Sequence, residues 1–147
     1  MASLLRAWDE PTPRTKTEQT RLQLLDKWEE TIGQDTPQFM RQEVLFLAGL
    51  NDSEWRWVEM HRFVEGTVLQ GETYRRYTVK EVRAIRMAVR IKRQNAKRTR
   101  KLSARALSNH IHLAVNGFLG RSPIQDQTPL DLAVLAGPDR NEEAPSA

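Results

Sequence analysis

A chain of 147 residues is long enough for one domain with a hydrophobic core of its own. It contains no cysteine, which excludes disulfides, thiolate zinc sites, iron–sulfur clusters and thiol catalysis, and no apolar run approaches the ~20 residues that span a bilayer. The formal charge of +4 hides two opposed regions: residues 75–105 hold thirteen of the Lys and Arg residues and a single acid, Glu81, for a net of +12, while the remainder nets −8.

The opening MASLLRAWDE has too short an apolar stretch for a secretory signal, and Asp9 and Glu10 argue against a transit peptide. The expected compartment is the cytoplasm, or the nucleus in a eukaryotic or viral setting. Residues 1–16 read as a flexible lead, because Pro11 and Pro13 deny helix to the residues before them. Leu4, Leu5 and Trp8 nevertheless have the spacing of a short helical turn.

From Thr17 to Ile32, the residues Leu22, Leu25, Trp28 and Ile32 recur at helical spacing, and Gly33 suits a left-handed stop. Thr36-Pro37 reads as a cap followed by proline in a first helical turn. That predicts a second helix from Pro37 to near Gly49, with the apolar run Val44–Ala48 central to the core. Asn51, Asp52 and Ser53 offer N-caps for a third helix over 53–65, with acids Asp52 and Glu54 in its first turn, where the helix dipole favours them. Residues 67–77 read as loop. Thr67, Val68 and Leu69 have strand character but show no evident partner strand.

Thr78 and Glu81 form an S/T-x-x-E capping box that opens a helix over 78–99. At 100° per residue, Arg83, Arg86, Arg90, Arg93 and Lys97 fall on one stripe, a ridge roughly 20 Å long. Val82, Ile85, Val89 and Ala96 occupy the adjoining arc, with Ala84, Met87, Ala88 and Ile91 beyond it. The helix should therefore be buried along most of its girth with a charged ridge showing. Ser103 caps a fifth helix over 104–115, Asn116-Gly117 marks a turn, and Thr128-Pro129 opens a short last helix over 129–137. Residues 138–147 read as a disordered tail.

The expected fold is therefore all-α: a single compact domain of five to six helices over 17–137, with a disordered lead and tail. The basic ridge points to a polyanion, since no acid at i±4 neutralises it. Arg98, Arg100, Lys101 and Arg105 continue its charge past the helix. Arginine's planar fork suits phosphate and guanine edges. A helix-turn-helix built from 104–115 and 129–136 fails, because its joint is far longer than three or four residues and Asp131 stands in a second helix without a cation. No leucine heptads follow the basic helix, so a bZIP arrangement fails too. Residues 90–101 are similar in composition to arginine-rich RNA-binding segments, but the aromatic signature of an RRM sheet is missing.

Other chemistry finds little support. His110 and His112 face different sides of a helix, and His61 has Glu65 as its one nearby second ligand, so no metal site is expected. No P-loop, dinucleotide-binding glycine pattern, HExxH or nucleophile elbow occurs, so neither catalysis nor a cofactor is expected. Trp55 and Trp57 point about 200° apart on their helix, which leaves one for the core and the other for a neighbouring element, a partner or a dimer surface. The leading expectation is a DNA-binding transcriptional regulator or accessory factor, with DNA ahead of structured RNA. A homodimer would let two ridges meet two half-sites. The alternative is an adaptor or inhibitor that docks the ridge on an acidic protein. No membrane partner is expected.

Overall fold

The computed structural model describes residues 15–121. The lead before Thr15, the last helix over 129–137 and the tail lie outside them. Over these residues the chain forms an all-α domain with one small hairpin: α1 (Lys16–Ile32), α2 (Arg41–Ala48), α3 (Asp52–His61), β1 (Thr67–Val68), β2 (Arg75–Arg76), α4 (Val79–Ala96) and α5 (Ala104–Leu119). Helix α4 packs against α1, α2, α3 and α5 and supplies much of the core, including Val82, Ala84, Ile85, Ala88 and Val89 at 0–1% exposure.

Helix α1 begins where the Thr15 hydroxyl accepts the Glu18 N–H at 3.1 Å, and Leu25 sits at the centre of its buried stripe. Thr36-Pro37 does not start the second helix. The Thr36 hydroxyl instead donates to the Ile32 carbonyl at 2.7 Å. Gln38 and Phe39 are extended, because their N–H groups both donate to the Tyr77 carbonyl (3.0 and 2.9 Å) and the Tyr77 N–H returns to the Phe39 carbonyl. A bridge to a residue far along the chain thus overrides a local start signal, and α2 begins only after Met40, whose N–H donates to Glu43 Oε1.

Helix α3 has a reciprocal cap: Asn51 Oδ1 accepts the Glu54 N–H and the Asn51 N–H donates to Glu54 Oε1. It ends earlier than its sequence suggests. Arg62 adopts a left-handed conformation (φ 54°) and turns Phe63 and Val64 into the core. The strand-like Thr67-Val68 does find a partner, pairing antiparallel with Arg75-Arg76, with Thr67 opposite Arg76. Helix α5 runs through the expected turn at Asn116-Gly117 to Leu119, because Ile111, Val115 and Phe118 continue its apolar stripe and Gly120 (φ 77°) provides the stop.

The Thr78–Glu81 box forms as predicted, with the Glu81 N–H bonded to the Thr78 hydroxyl and the Thr78 N–H to Glu81 Oε1, both at 3.0 Å. The other Glu81 oxygen accepts the Gly66 N–H at 3.0 Å, so one carboxylate caps α4 and anchors the base of the hairpin. Gly66 itself has φ 70°, and a Cβ there would lie 2.8 Å from the Tyr77 ring. Replacing Glu81 by Ala removes both carboxylate bonds; unfolding in urea should show a loss of about 2 kcal/mol.

Candidate nucleic-acid interface

The predicted ridge is largely a seam. Arg83 pairs with Asp26 (2.8 Å) and Glu29 (3.1 Å) on α1. Arg86 is 5% exposed, pairs with Glu18 and donates to the Leu47 carbonyl at 2.7 Å. Arg93 donates to both oxygens of Glu54 (3.0 and 2.9 Å) and to the Gly49 carbonyl (3.0 Å). The expectation of an exposed ridge is therefore corrected at Arg86, which is buried, and at Arg83 and Arg93, which meet internal acids. The residues at i±4 indeed carry no acids. The counter-charges come from α1 and α3, which the fold lays along the ridge. Burial opposes the charge on Glu18, but the Arg86 and Arg21 guanidiniums outweigh it and hold the carboxyl below its usual pKa of 4.5. The folded pKa is depressed, so this contribution is complete above that value and fades as pH falls below it.

The cations past the helix are placed differently. Lys97, Arg98, Arg100, Lys101 and Arg105 are all exposed, and none forms an ion pair with another described residue. No acid occurs between Glu81 and Asp126. The turn that carries these cations has a defined shape. The Arg98 N–H donates to the Asn95 carbonyl, and the buried Asn95 side chain exchanges bonds with the Leu102 backbone, accepting at 2.9 Å and donating at 3.4 Å. Arg90 is half-buried within α4, between Arg86 and Arg93 on the same stripe.

A feature that sequence reading overlooked adjoins this turn. Helices α2 and α3 are joined by Gly49, Leu50 and Asn51, a glycine-containing joint of the length that a helix-turn-helix uses. Gly49 is left-handed (φ 70°) and Asn51 caps the second helix. The signal was present in the glycine two residues before a good cap; the long apolar run before it drew α2 into the core reading instead. Arg93 ties α4 to this joint through Gly49 and Glu54. Lys97 lies one helical turn further, about 6 Å along the axis, and lines the same cleft as Gly49. Of the acids on α3, Asp52 pairs with Arg41 at 2.8 Å and Glu54 with Arg93, while Arg56 is exposed on the same helix.

Trp55 is 2% exposed and packs edge-on against Tyr77 at 5.5 Å, so it belongs to the core and presents nothing to a partner. Trp57 is half-buried between His61 and Phe63, with the Lys92 ammonium 5.3 Å from its ring centroid. Ring packing likewise involves two histidines. His61 stacks on Phe63 and shares a 3.1 Å hydrogen bond with the Ser108 hydroxyl, and His112 packs 4.6 Å from Phe63. Among the described residues no group of three or more His or acidic side chains is placed to hold a metal. No protein-family model, curated protein or solved structure matches this chain.

Arg86→Ala leaves Glu18 with Arg21 alone and removes the buried donor to the Leu47 carbonyl, and urea unfolding should record a loss of about 3 kcal/mol. Arg98→Ala on the exposed turn should stay within ~0.5 kcal/mol of the parent. Burial, followed by the charges of His61 and Arg121, holds the His112 pKa below its usual 6.5. The unfolded chain therefore takes up the proton first, and stability is complete above about 6.5 and declines as pH falls below it. His112→Gln should flatten that decline in midpoints measured between pH 7 and pH 5.

Proposed function

We propose that this chain is a DNA-binding protein that acts as a transcriptional regulator or accessory factor. The observation that carries this reading is the un-neutralised basic turn of Lys97, Arg98, Arg100, Lys101 and Arg105. Internal acids cover the seam arginines and stop short of these five. Exposed cations fixed close together repel one another, and a polyanion relieves that cost. Fixing the turn through Asn95 and Leu102 also gives the charges a register, which suits a structured backbone more than a loose chain.

Duplex DNA is favoured over RNA by the α2–α3 joint. In a helix-turn-helix the N-terminal residues of the second helix meet base edges while flanking groups hold the phosphates. Here Lys97, the first cation of the basic turn, shares a cleft with Gly49 of the joint, and two of the acids of α3 are already paired internally. The hairpin after α3 adds an exposed Arg75. The grip therefore moves from the predicted helix stripe to the turn beyond it, with Lys97 common to both.

Five neutralised phosphates give a slope of log K against log salt of about −4.5 on duplex DNA. Fluorescence anisotropy with a labelled duplex should show this slope, and R98E/R100E/K101E should flatten it and cut affinity by about a hundredfold or more. Unlabelled duplex should compete better than structured RNA. No duplex binding at low salt would reject the reading and leave an acidic protein surface as the partner of the turn. Variants of Arg83, Arg86 or Arg93 are unsuitable for this purpose because they also break the fold's ion pairs.

A further inference from the structure

We infer that a separate cleft, between the end of α3 and the hairpin, is a binding site for a small zwitterion: a free α-amino acid. It occupies about 210 Å³ and is lined by Glu59, Arg62, Val64, Glu65, Arg75 and Tyr77. None of these residues belongs to the basic turn, so the inference does not depend on the DNA reading.

Two independent observations support it. The first concerns the charges. Glu59, Arg62, Glu65 and Arg75 are exposed and line one small space, yet none of the four forms an ion pair with a described residue. The turn that ends α3 sets this arrangement. Arg62 is left-handed (φ 54°), and Phe63 and Val64 turn into the core, which leaves Arg62 and Glu65 outside. Arg75 donates one N–H to the Glu65 backbone carbonyl at 2.9 Å, which steadies its fork and leaves its other donors for a ligand. The second observation is Tyr77. This residue is 5% exposed and lines the cleft, and its hydroxyl forms no hydrogen bond with a described residue. Buried polar groups are ordinarily hydrogen-bonded. The Tyr77 backbone is held by the bridge to Phe39 and its ring lies against Trp55, so the hydroxyl is fixed in place. Burial, followed by the Glu59 charge, holds that hydroxyl above its usual pKa of 10, so it stays protonated and acts as a donor near neutral pH.

The charge pattern and the size select the ligand. A simple cation attracted by the two glutamates is repelled by the two arginines, and a simple anion meets the reverse, so each is selected against. A zwitterion satisfies both pairs. Its ammonium meets the glutamates, while its carboxylate meets the guanidinium forks, whose geometry it matches bidentately. The Tyr77 hydroxyl supplies one further donor. The cleft is smaller than the pockets that hold drug-sized ligands, which suits a molecule of amino-acid size. Val64 is the apolar residue of the lining and offers a surface to the ligand's side chain.

Isothermal titration of the full chain at low ionic strength tests this, with each of the standard L-amino acids in turn as the probe. At least one should bind saturably, one per chain. Its N-acetyl derivative lacks the ammonium and its methyl ester lacks the carboxylate, and each should bind about tenfold or more weakly. Glu59 is exposed, so Glu59→Gln retains the fold. That variant should weaken the amino acid by about tenfold and leave its N-acetyl derivative unchanged. Tyr77→Phe removes the hydroxyl and keeps the ring on Trp55, and it should weaken binding by about fivefold. R98A/R100A, which lies outside the cleft, should leave amino-acid affinity unchanged while weakening duplex binding, so the two sites succeed or fail separately. No binding by any amino acid up to about 10 mM, or binding that neither N-acetylation nor Glu59→Gln weakens, would overturn the site.

Discussion

Burying a helix that carries this many arginines obliges the rest of the chain to supply counter-charges. Helix α4 holds most of the domain together through its valines, alanines and isoleucines, yet Arg83, Arg86 and Arg93 run along the same cylinder. An unpaired charge in that position would cost several kcal/mol. The structure answers with Glu18, Asp26 and Glu29 from α1 and Glu54 from α3. The acidic remainder of the chain is thus partly an internal counter-ion, and the opposed charges of the two regions help to decide where α1 and α3 lie.

The same constraint defines the functional surface. Acids from neighbouring helices reach only as far along α4 as those helices do. Beyond Arg93 the helix runs past its acidic neighbours, and the cations from Lys97 onward remain in solvent. Asn95 then folds the chain back through Leu102 before α5 begins. A basic turn of defined shape results from a buried, neutralised seam that stops one turn short of the helix end.

The hairpin and the cap of α4 show how closely the remaining elements depend on this helix. Glu81 caps α4 with one oxygen and fixes Gly66 with the other, so the start of the core helix also positions the hairpin. Tyr77, immediately before the cap, bridges to Phe39 and packs on Trp55, linking the entry to α2 with α3. The joint between α2 and α3 is in turn pinned to α4 by Arg93. These contacts leave the placement of the α2–α3 joint dependent on the basic helix rather than independent of it.

The sequence by itself determined the all-α class, the stripes of α1 and α4, the Thr78–Glu81 and Ser103 caps, and the concentration of charge after residue 97. Each of those signals acts within about four residues, the reach of helical hydrogen bonds and of side-chain pairs on one face. Only the tertiary structure decided which arginines face solvent, because their partners lie 57, 68 and 39 residues away at Asp26, Glu18 and Glu54. It likewise decided that Pro37 does not start a helix, that Thr67-Val68 finds a strand, and that Trp55 is core. At Pro37 the bridge from Phe39 to Tyr77 outweighed a local preference worth about 1 kcal/mol, and no pattern read along the chain contains that contact.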